Sequence, residues 1–380
     1  MRNPTASHRR LALDAFRGLT IAGMILVNNP GDWGAVFGPL RHAAWHGCTL
    51  ADLVFPSFLF VVGVSISVAL RRRVERRDPW GALTWRILRR GVLLFALGLW
   101  LAVFPGVEDF ADWKWKDFGR LRIPGVLQRI ALCYSVAAPL YLGLSGRLRL
   151  VLAVALLLGY QALLGWYPLA GGGVSDLSDP QRNLVAVVDR AVFGVRLWRG
   201  TWDPEGLLST VPALGTTLLG TWVGDLWLRD ARPEAVARRM FGWGIVWALG
   251  GYVWSVWMPF NKPLWTGSYA LWTAGLSASG LAACIWCEQR RGAAVLRPFA
   301  VYGQNALLVF VLSGMLGRLL TAVRWRDGGQ VTTLKSAVFR NTFGWIQPPE
   351  LASLAFAAAF VVGFFALLLP LYRRGWRWRV

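Results

Sequence analysis

An all-α bundle of about ten membrane-spanning helices is the fold this 380-residue sequence predicts, and three observations predict it. Hydrophobic residues make up 55% of the chain and charged residues 16%, with a mean hydropathy of +0.44. A soluble domain carries about a quarter of its residues charged, and a chain this apolar does not stay disordered. Ten apolar stretches are long enough, or nearly so, to cross a core of about 30 Å. Lys and Arg gather on alternate connections between them, as the cytoplasmic loops of membrane proteins require.

The stretches run from Phe16 to Asn28, Leu50 to Leu70, Ile87 to Phe104, Ile123 to Leu144 and Leu148 to Trp166. The second five run from Gly206 to Leu228, Met240 to Met258, Leu264 to Trp286, Phe299 to Leu319 and Leu351 to Tyr372. The first is short unless it begins near Leu11. It follows Arg9 and Arg10 with no small-residue cleavage site, so an uncleaved helix is expected rather than a signal peptide. With the N-terminus inside, the inner segments hold 24 Lys and Arg and the outer ones 15, while Asp and Glu number 5 inside and 12 outside. Both termini are therefore expected in the cytoplasm. Residues 1–380 read as a single transmembrane domain with outer loops 29–49, 105–122, 167–205 and 320–350. Residues 183–195 have the helical spacing of a surface-lying segment.

The net charge of +21 fits arginine-rich inner loops against anionic lipid, not nucleic acid. Cys284 and Cys287 have CxxC spacing but no second pair or nearby His, so no zinc site is expected. His42, His46 and Asp52, with Cys48, are too few clear ligands for a metal centre, and none is expected.

Ionisable residues inside membrane helices are functional candidates by default. Asp14 and Arg17 share a helix face, and Asn28 falls within about 20° of Arg17 on the wheel. This stripe is expected to face the protein interior. It can also be read as a pair that merely locks the first helix to its neighbours. The first outer loop carries His42 and His46, and His can take and return a proton near neutral pH. Asp52 opens the next helix and can orient or charge-balance a histidine. Arg122 and Arg129 lie on one face of the fourth span with Gln128 beside them, and a membrane Arg needs a carboxylate, phosphate or carbonyl. Asn261 and Lys262 occupy a short outer turn, and Gln304 and Asn305 interrupt an apolar run, where amides also serve as interhelical glue. Outer Trp33, Trp45, Trp202 and Trp265 can stack on a sugar face.

Together the segments LDAFRGLTIAGMILVN, HAAWHGCTLADLVFP, RIPGVLQR, WDPEGLLST, MPFNKPLW and PFAVYGQNALLVFV give a chain that resembles the transmembrane acyltransferases related to heparan-α-glucosaminide N-acetyltransferase. The likeness runs from Leu13 to Phe310 in the family's order. About ten residues precede the first helix, so the family's large luminal domain is expected to have no counterpart. The resemblance implies transfer of an acetyl group from cytosolic acetyl-CoA to the amine of a glucosamine-type acceptor at the periplasmic face of a bacterial inner (plasma) membrane. It implies His42 as the catalytic histidine and Asn28 as the active-site asparagine. His46 stands where the human member has asparagine. The resemblance also suggests a homodimer. Asp14, Arg17, His46, Asp52, Arg122, Gln128, Arg129, Asn261, Lys262 and Asn305 are candidates for binding substrate or CoA. His42 as base and His42 as acetyl carrier both remain open. The alternative function is an inner-membrane transporter for N-acetylglucosamine or a related amino sugar.

Overall fold

A computed structural model describes residues 4–167, 175–230, 232–327 and 330–378; part of the 167–205 loop therefore lies outside the described residues. Among these, thirteen α-helices form the chain: α1 (Pro4–Asn28), α2 (Leu50–Glu75), α3 (Trp80–Val103), α4 (Val126–Gly143), α5 (Gly146–Trp166), α6 (Leu184–Phe193), α7 (Thr210–Arg229), α8 (Pro233–Trp254), α9 (Gly267–Arg291), α10 (Ala293–Gln304), α11 (Ala306–Ala322), α12 (Leu334–Phe343) and α13 (Pro349–Arg373). Each predicted apolar stretch falls on a helix, and the predicted outer helix is α6. Two short antiparallel hairpins lie in the connecting loops, β1 (Val107–Asp109) with β2 (Lys114–Trp115) and β3 (Arg324–Asp327) with β4 (Gln330–Thr333).

Among the described residues, six helical segments are long and apolar enough to cross a membrane: Leu11–Asn28 within α1, α2, α4, α5, α9 and α13. Helices α10 and α11 add a seventh, bent by 67°. Helices α3, α7 and α8 have 24, 20 and 22 residues. Helix α3 carries Arg86, Arg89 and Arg90, and α7 and α8 are rich in Gly, Thr and Trp.

The stretch from Phe299 to Leu319, expected as one straight span, is broken at Asn305. That residue leaves the helical region at φ −123°, ψ 35°. Its amide donates to the Trp376 carbonyl at 3.1 Å and accepts from the Trp378 N–H at 2.8 Å, while Gln304 accepts from Arg377 Nε at 3.3 Å. The two amides that read as glue between helices tie down the C-terminal tail instead.

Helix α2 lies at the centre, against α1, α4, α7 and α9. Its approach to α7 is backbone on backbone. A Cβ on Gly63 would stand 2.0 Å from the Thr217 carbonyl oxygen, and one on Gly220 2.1 Å from that of Phe60. Lipid supplies no hydrophobic force between helices, so such small-residue contacts do the packing. Buried hydroxyls return to their own helix, Thr217 to the Ala213 carbonyl and Thr273 to that of Tyr269. Ser67 crosses to the Thr221 carbonyl at 2.7 Å. Gly63→Ala should therefore force α2 and α7 apart and cost about 3 kcal/mol of stability, seen as a lowered unfolding midpoint in detergent.

Candidate active site

The loop between α1 and α2 folds around one carboxylate. Asp52 is the third residue of α2, after Thr49 at the N-cap, the spacing of a capping box. Its Oδ2 accepts from the Thr49 N–H at 3.2 Å, the Thr49 hydroxyl at 3.1 Å and the Ala43 N–H at 3.0 Å. Its Oδ1 lies 2.7 Å from His42 Nδ1 and 3.4 Å from Lys262 Nζ. The carboxylate side chain is 1% exposed and the imidazole 37%. An ionised carboxylate only accepts, which assigns the proton to Nδ1 and leaves the lone pair on Nε2. Lys262 Nζ also lies 3.2 Å from His42 Nδ1. Two donors cannot bond to each other, so this closeness reflects shared attachment to Asp52.

Lys262 arrives on the turn between α8 and α9, which Asn261 holds rigid. The Asn261 side chain accepts from the Leu264 N–H at 2.8 Å and faces His46 Nδ1 at 3.4 Å, and the Asn261 backbone N–H donates to Thr266 Oγ1 at 3.1 Å. The Gly47 N–H donates to the Phe260 carbonyl at 2.7 Å, and the Tyr269 hydroxyl to the Asp52 carbonyl at 2.6 Å. Loop, turn and α2 are thus stapled together. Partial burial lowers the His46 pKa. Burial, with Asp52 nearby, pushes the Cys48 thiol up to about 12, so it is no thiolate nucleophile.

A second cluster adjoins the first. Arg122 binds both oxygens of Asp203 and also Glu205, with its guanidinium 5.0 Å from the Trp198 ring centroid. Burial opposes ionisation of Glu205, yet Arg122, Arg129 and Lys262 together hold its pKa below the usual carboxylate range. Arg129, 1% exposed, donates to the Gly206 carbonyl at 3.0 Å and to Ser209 Oγ. Its guanidinium lies 5.1 Å from the Trp265 ring centroid. Arg122 and Arg129 thereby fix the segment from Asp203 to Ser209 against the start of α4.

Four sequence expectations need correction or relocation. Asn28 is exposed while neighbouring Asn29 is buried with its amide on the Ile25 carbonyl at 2.8 Å, so the stripe ending at Asn28 does not pack wholly inside. Arg17 sits about 16 Å and Asp14 about 21 Å down α1 from it at the helix rise. There Arg17 joins Asp14 at 3.2 Å, Ser65 Oγ at 2.7 Å and the Gly303 carbonyl at 3.3 Å, tying α1 to α2 and α10. Trp265 is fully buried, with its indole N–H on Thr216 Oγ1 at 3.1 Å, and offers no face to a sugar. Trp45 meets Trp202 edge-on at 5.4 Å, and Trp33 is exposed. Gln128 is buried against Gly98 of α3 and Gly125, and Asn305 holds the tail.

Sequence reasoning passed over Tyr269, Thr49, Asp203 and Glu205. The T-x-x-D spacing before an apolar run was a usable signal for Thr49; the others come from distant segments. It also passed over Asp189 of α6, which is fully buried. Asp189 accepts from the Leu207 N–H at 2.8 Å, and its second oxygen has no partner among the described residues. Burial, partly offset by that N–H and by Arg129, raises its pKa to about 6. A carboxyl raised from about 4 to about 6 keeps its proton in the folded state where the unfolded chain has lost it. Stability therefore falls as pH rises from about 4 to about 6, by about 3 kcal/mol at most. Asp189→Asn keeps the acceptor for Leu207 and should flatten that step in unfolding midpoints measured from pH 4 to 7.

Comparison with known proteins bears on this geometry. A family model described as heparan-alpha-glucosaminide N-acetyltransferase, catalytic, matches residues 9–251. That span holds Asn28, His42, His46, Asp52, Arg122 and Arg129, and stops short of Lys262. Heparan-alpha-glucosaminide N-acetyltransferase of Mus musculus is 26% identical over 360 residues, covering 81% of this chain and 53% of that protein. The Homo sapiens protein of the same name is 27% identical over 357 residues, covering 80% and 52%. The chain spans about half the length of these curated relatives.

Proposed function

The chain belongs to the family of heparan-α-glucosaminide N-acetyltransferase catalytic regions, and we propose from that membership that it moves an acetyl group from acetyl-CoA to the amine of a glucosamine-type sugar. In this reading it is a multi-pass protein of a bacterial inner membrane with about ten crossings and both termini in the cytoplasm, and the histidine loop faces the periplasm. The arginine-rich inner loops and the ten helical stretches support that arrangement.

The observation that carries the proposal is the His42–Asp52 pair, with Lys262 beside it, in the half-exposed outer loop. The attacking amine must be neutral. As its nitrogen bonds to the thioester carbonyl carbon, Nε2 of His42 takes its proton, and Nδ1–H stays on Asp52, which stabilises the imidazolium that forms. Negative charge grows on the carbonyl oxygen, where the exposed amide of Asn28 is the donor we assign. The C–S bond then breaks, and the departing sulfur takes the proton from Nε2. Lys262 balances the Asp52 carboxylate once the imidazole is neutral again. Arg122 and Arg129 hold the Asp203–Ser209 wall of the site rather than taking part in the chemistry.

Purified protein in detergent, given labelled acetyl-CoA and glucosamine, should form labelled N-acetylglucosamine. No transfer, together with sugar uptake into vesicles carrying the protein, would replace this reading with a transporter.

A further inference from the structure

Where α13 ends, the chain turns back into the bundle. Gly375 follows the helix at φ +66°, in the left-handed region that glycine favours. Its N–H donates to the Tyr372 carbonyl at 3.0 Å, and the Trp376 N–H to the Leu371 carbonyl at 2.9 Å, the two bonds of a Schellman turn. Ser353, near the other end of α13, bonds to Asp32 of the loop that carries His42, so this turn lies about 30 Å along the helix from that loop. From there Trp376 and Trp378 reach Asn305, which is 1% exposed. Asn305 lies three residues beyond Tyr302, whose hydroxyl donates to the Val361 carbonyl midway along α13. Trp378 packs against the cluster of Phe55, Leu59, Leu94 and Ile130, and Phe55 lies one turn below Asp52 on α2.

Both ends of the Asn305 amide are thus spent on the tail's backbone. Asn305 is also the N-cap of α11, where an asparagine oxygen ordinarily accepts from the helix's own first N–H groups; here α11 has no side-chain cap. A sharp helix break has a cause, such as a proline or a group inserted into the hydrogen-bond ladder. No proline stands at the break, and Ala306, Leu307 and Leu308 continue an apolar run that suits one helix. A joined helix would give the Leu307 N–H the Gly303 carbonyl, which at the break serves Arg17 at 3.3 Å. The inserted group is the tail. Its hold is slight: two bonds to Asn305, one from Arg377 to Gln304 at 3.3 Å, and the packing of Trp378, while Trp376 and Arg377 are exposed. Arg377 also lies within electrostatic reach of Arg17, a like charge that opposes seating. Segments with so few buried contacts open at low cost.

We propose that Trp376 to Trp378 form a releasable strap. Seated, it holds the α10–α11 span broken at Asn305; released, it lets the two halves join into one straight helix. Asn305 switches between the two states, since its amide serves either the tail or its own helix. Release also withdraws Trp378 from the cluster beneath Asp52 and frees the Gly303 carbonyl from Arg17, so the device changes the packing below the histidine loop. The strap does not depend on the acetyl-transfer reading.

Pulsed electron paramagnetic resonance distances in the full chain test it. Spin labels go on Ala294→Cys and Thr321→Cys, both exposed, with Cys48, Cys133, Cys284 and Cys287 replaced by alanine. At the helix rise the two backbones lie about 34 Å apart across the 67° bend and about 40 Å apart in a joined helix. The parent chain should give mainly the shorter distance. Asn305→Ala, which removes both bonds to the tail and favours helix, and Trp378→Ala should each move population to a distance about 6 Å longer. Arg374→Gln, an exposed tail residue outside the seat, should leave the distribution unchanged. Asn305→Ala replaces a buried amide, so Trp378→Ala, with a chain ending at Arg374, decides if that variant fails to fold. Distances that stay within about 2 Å of the parent, or shorten, in Trp378→Ala and in the chain ending at Arg374 overturn the proposal.

Discussion

His42→Ala should lower kcat for acetyl transfer by about 10² to 10⁴, the range lost when a general base is removed, while binding of acetyl-CoA stays near the wild-type level. The imidazole is partly exposed and touches Asp52 and Lys262. Its removal leaves the helix cap of Asp52 intact, because Thr49 and Ala43 still donate to that carboxylate. The fold should therefore survive, and unfolding midpoints near wild type would show that the loss is chemical. Single-turnover transfer, with donor binding measured in parallel, checks this. Turnover retained in the variant would remove His42 from the reaction.

Asp52→Asn is expected to have the next largest effect, about 10² to 10⁴ in kcat, by a different route. An asparagine can turn its NH₂ toward His42 Nδ1, which then accepts and places the proton on Nε2. The ring atom that must receive the amine proton would already be occupied. Lys262 would also lose its counter-charge at 3.4 Å. The same change weakens the start of α2, since the Thr49 N–H and hydroxyl and the Ala43 N–H share one Asp52 oxygen; loss of such a cap costs about 1 kcal/mol. Asp52→Glu separates the two roles: it retains charge and tautomer but displaces the oxygens, so it should recover more kcat than Asp52→Asn. Proton-detected NMR of the His42 ring would report the tautomer in each variant.

The parts of the site legible in the sequence were those carried by short segments. His42 and Asp52 lie ten residues apart in one loop, and the Thr49–Asp52 spacing belongs to helix capping. Lys262 sat beside a proline turn between two apolar runs, which marked it as an outer residue without showing what it would meet. Its place beside His42 depends on how α8 and α9 pack on α2, a tertiary fact that hydropathy does not encode. The same limit hid the partners of Arg129. Its charge implied a carbonyl or anion, but only the chain path from Asp203 to Ser209 shows that a carbonyl, a hydroxyl and the face of Trp265 serve. Trp265 misled because aromatic residues near the membrane interface look alike in sequence whether they face sugar, lipid or protein. Asn305 misled because an amide in an apolar run looks the same whether it links helices or breaks one. Asn28 fell on the wheel of Arg17, but at the last residue of its helix a wheel position no longer fixes which way the side chain faces.

Sided transfer in proteoliposomes tests the central claim most directly. With acetyl-CoA sealed on the side of the arginine-rich loops and a membrane-impermeant glucosamine oligomer on the histidine side, the acetylated oligomer should accumulate with the acceptor, and His42→Ala vesicles should give none. Product formed only when donor and acceptor share a compartment would contradict the account.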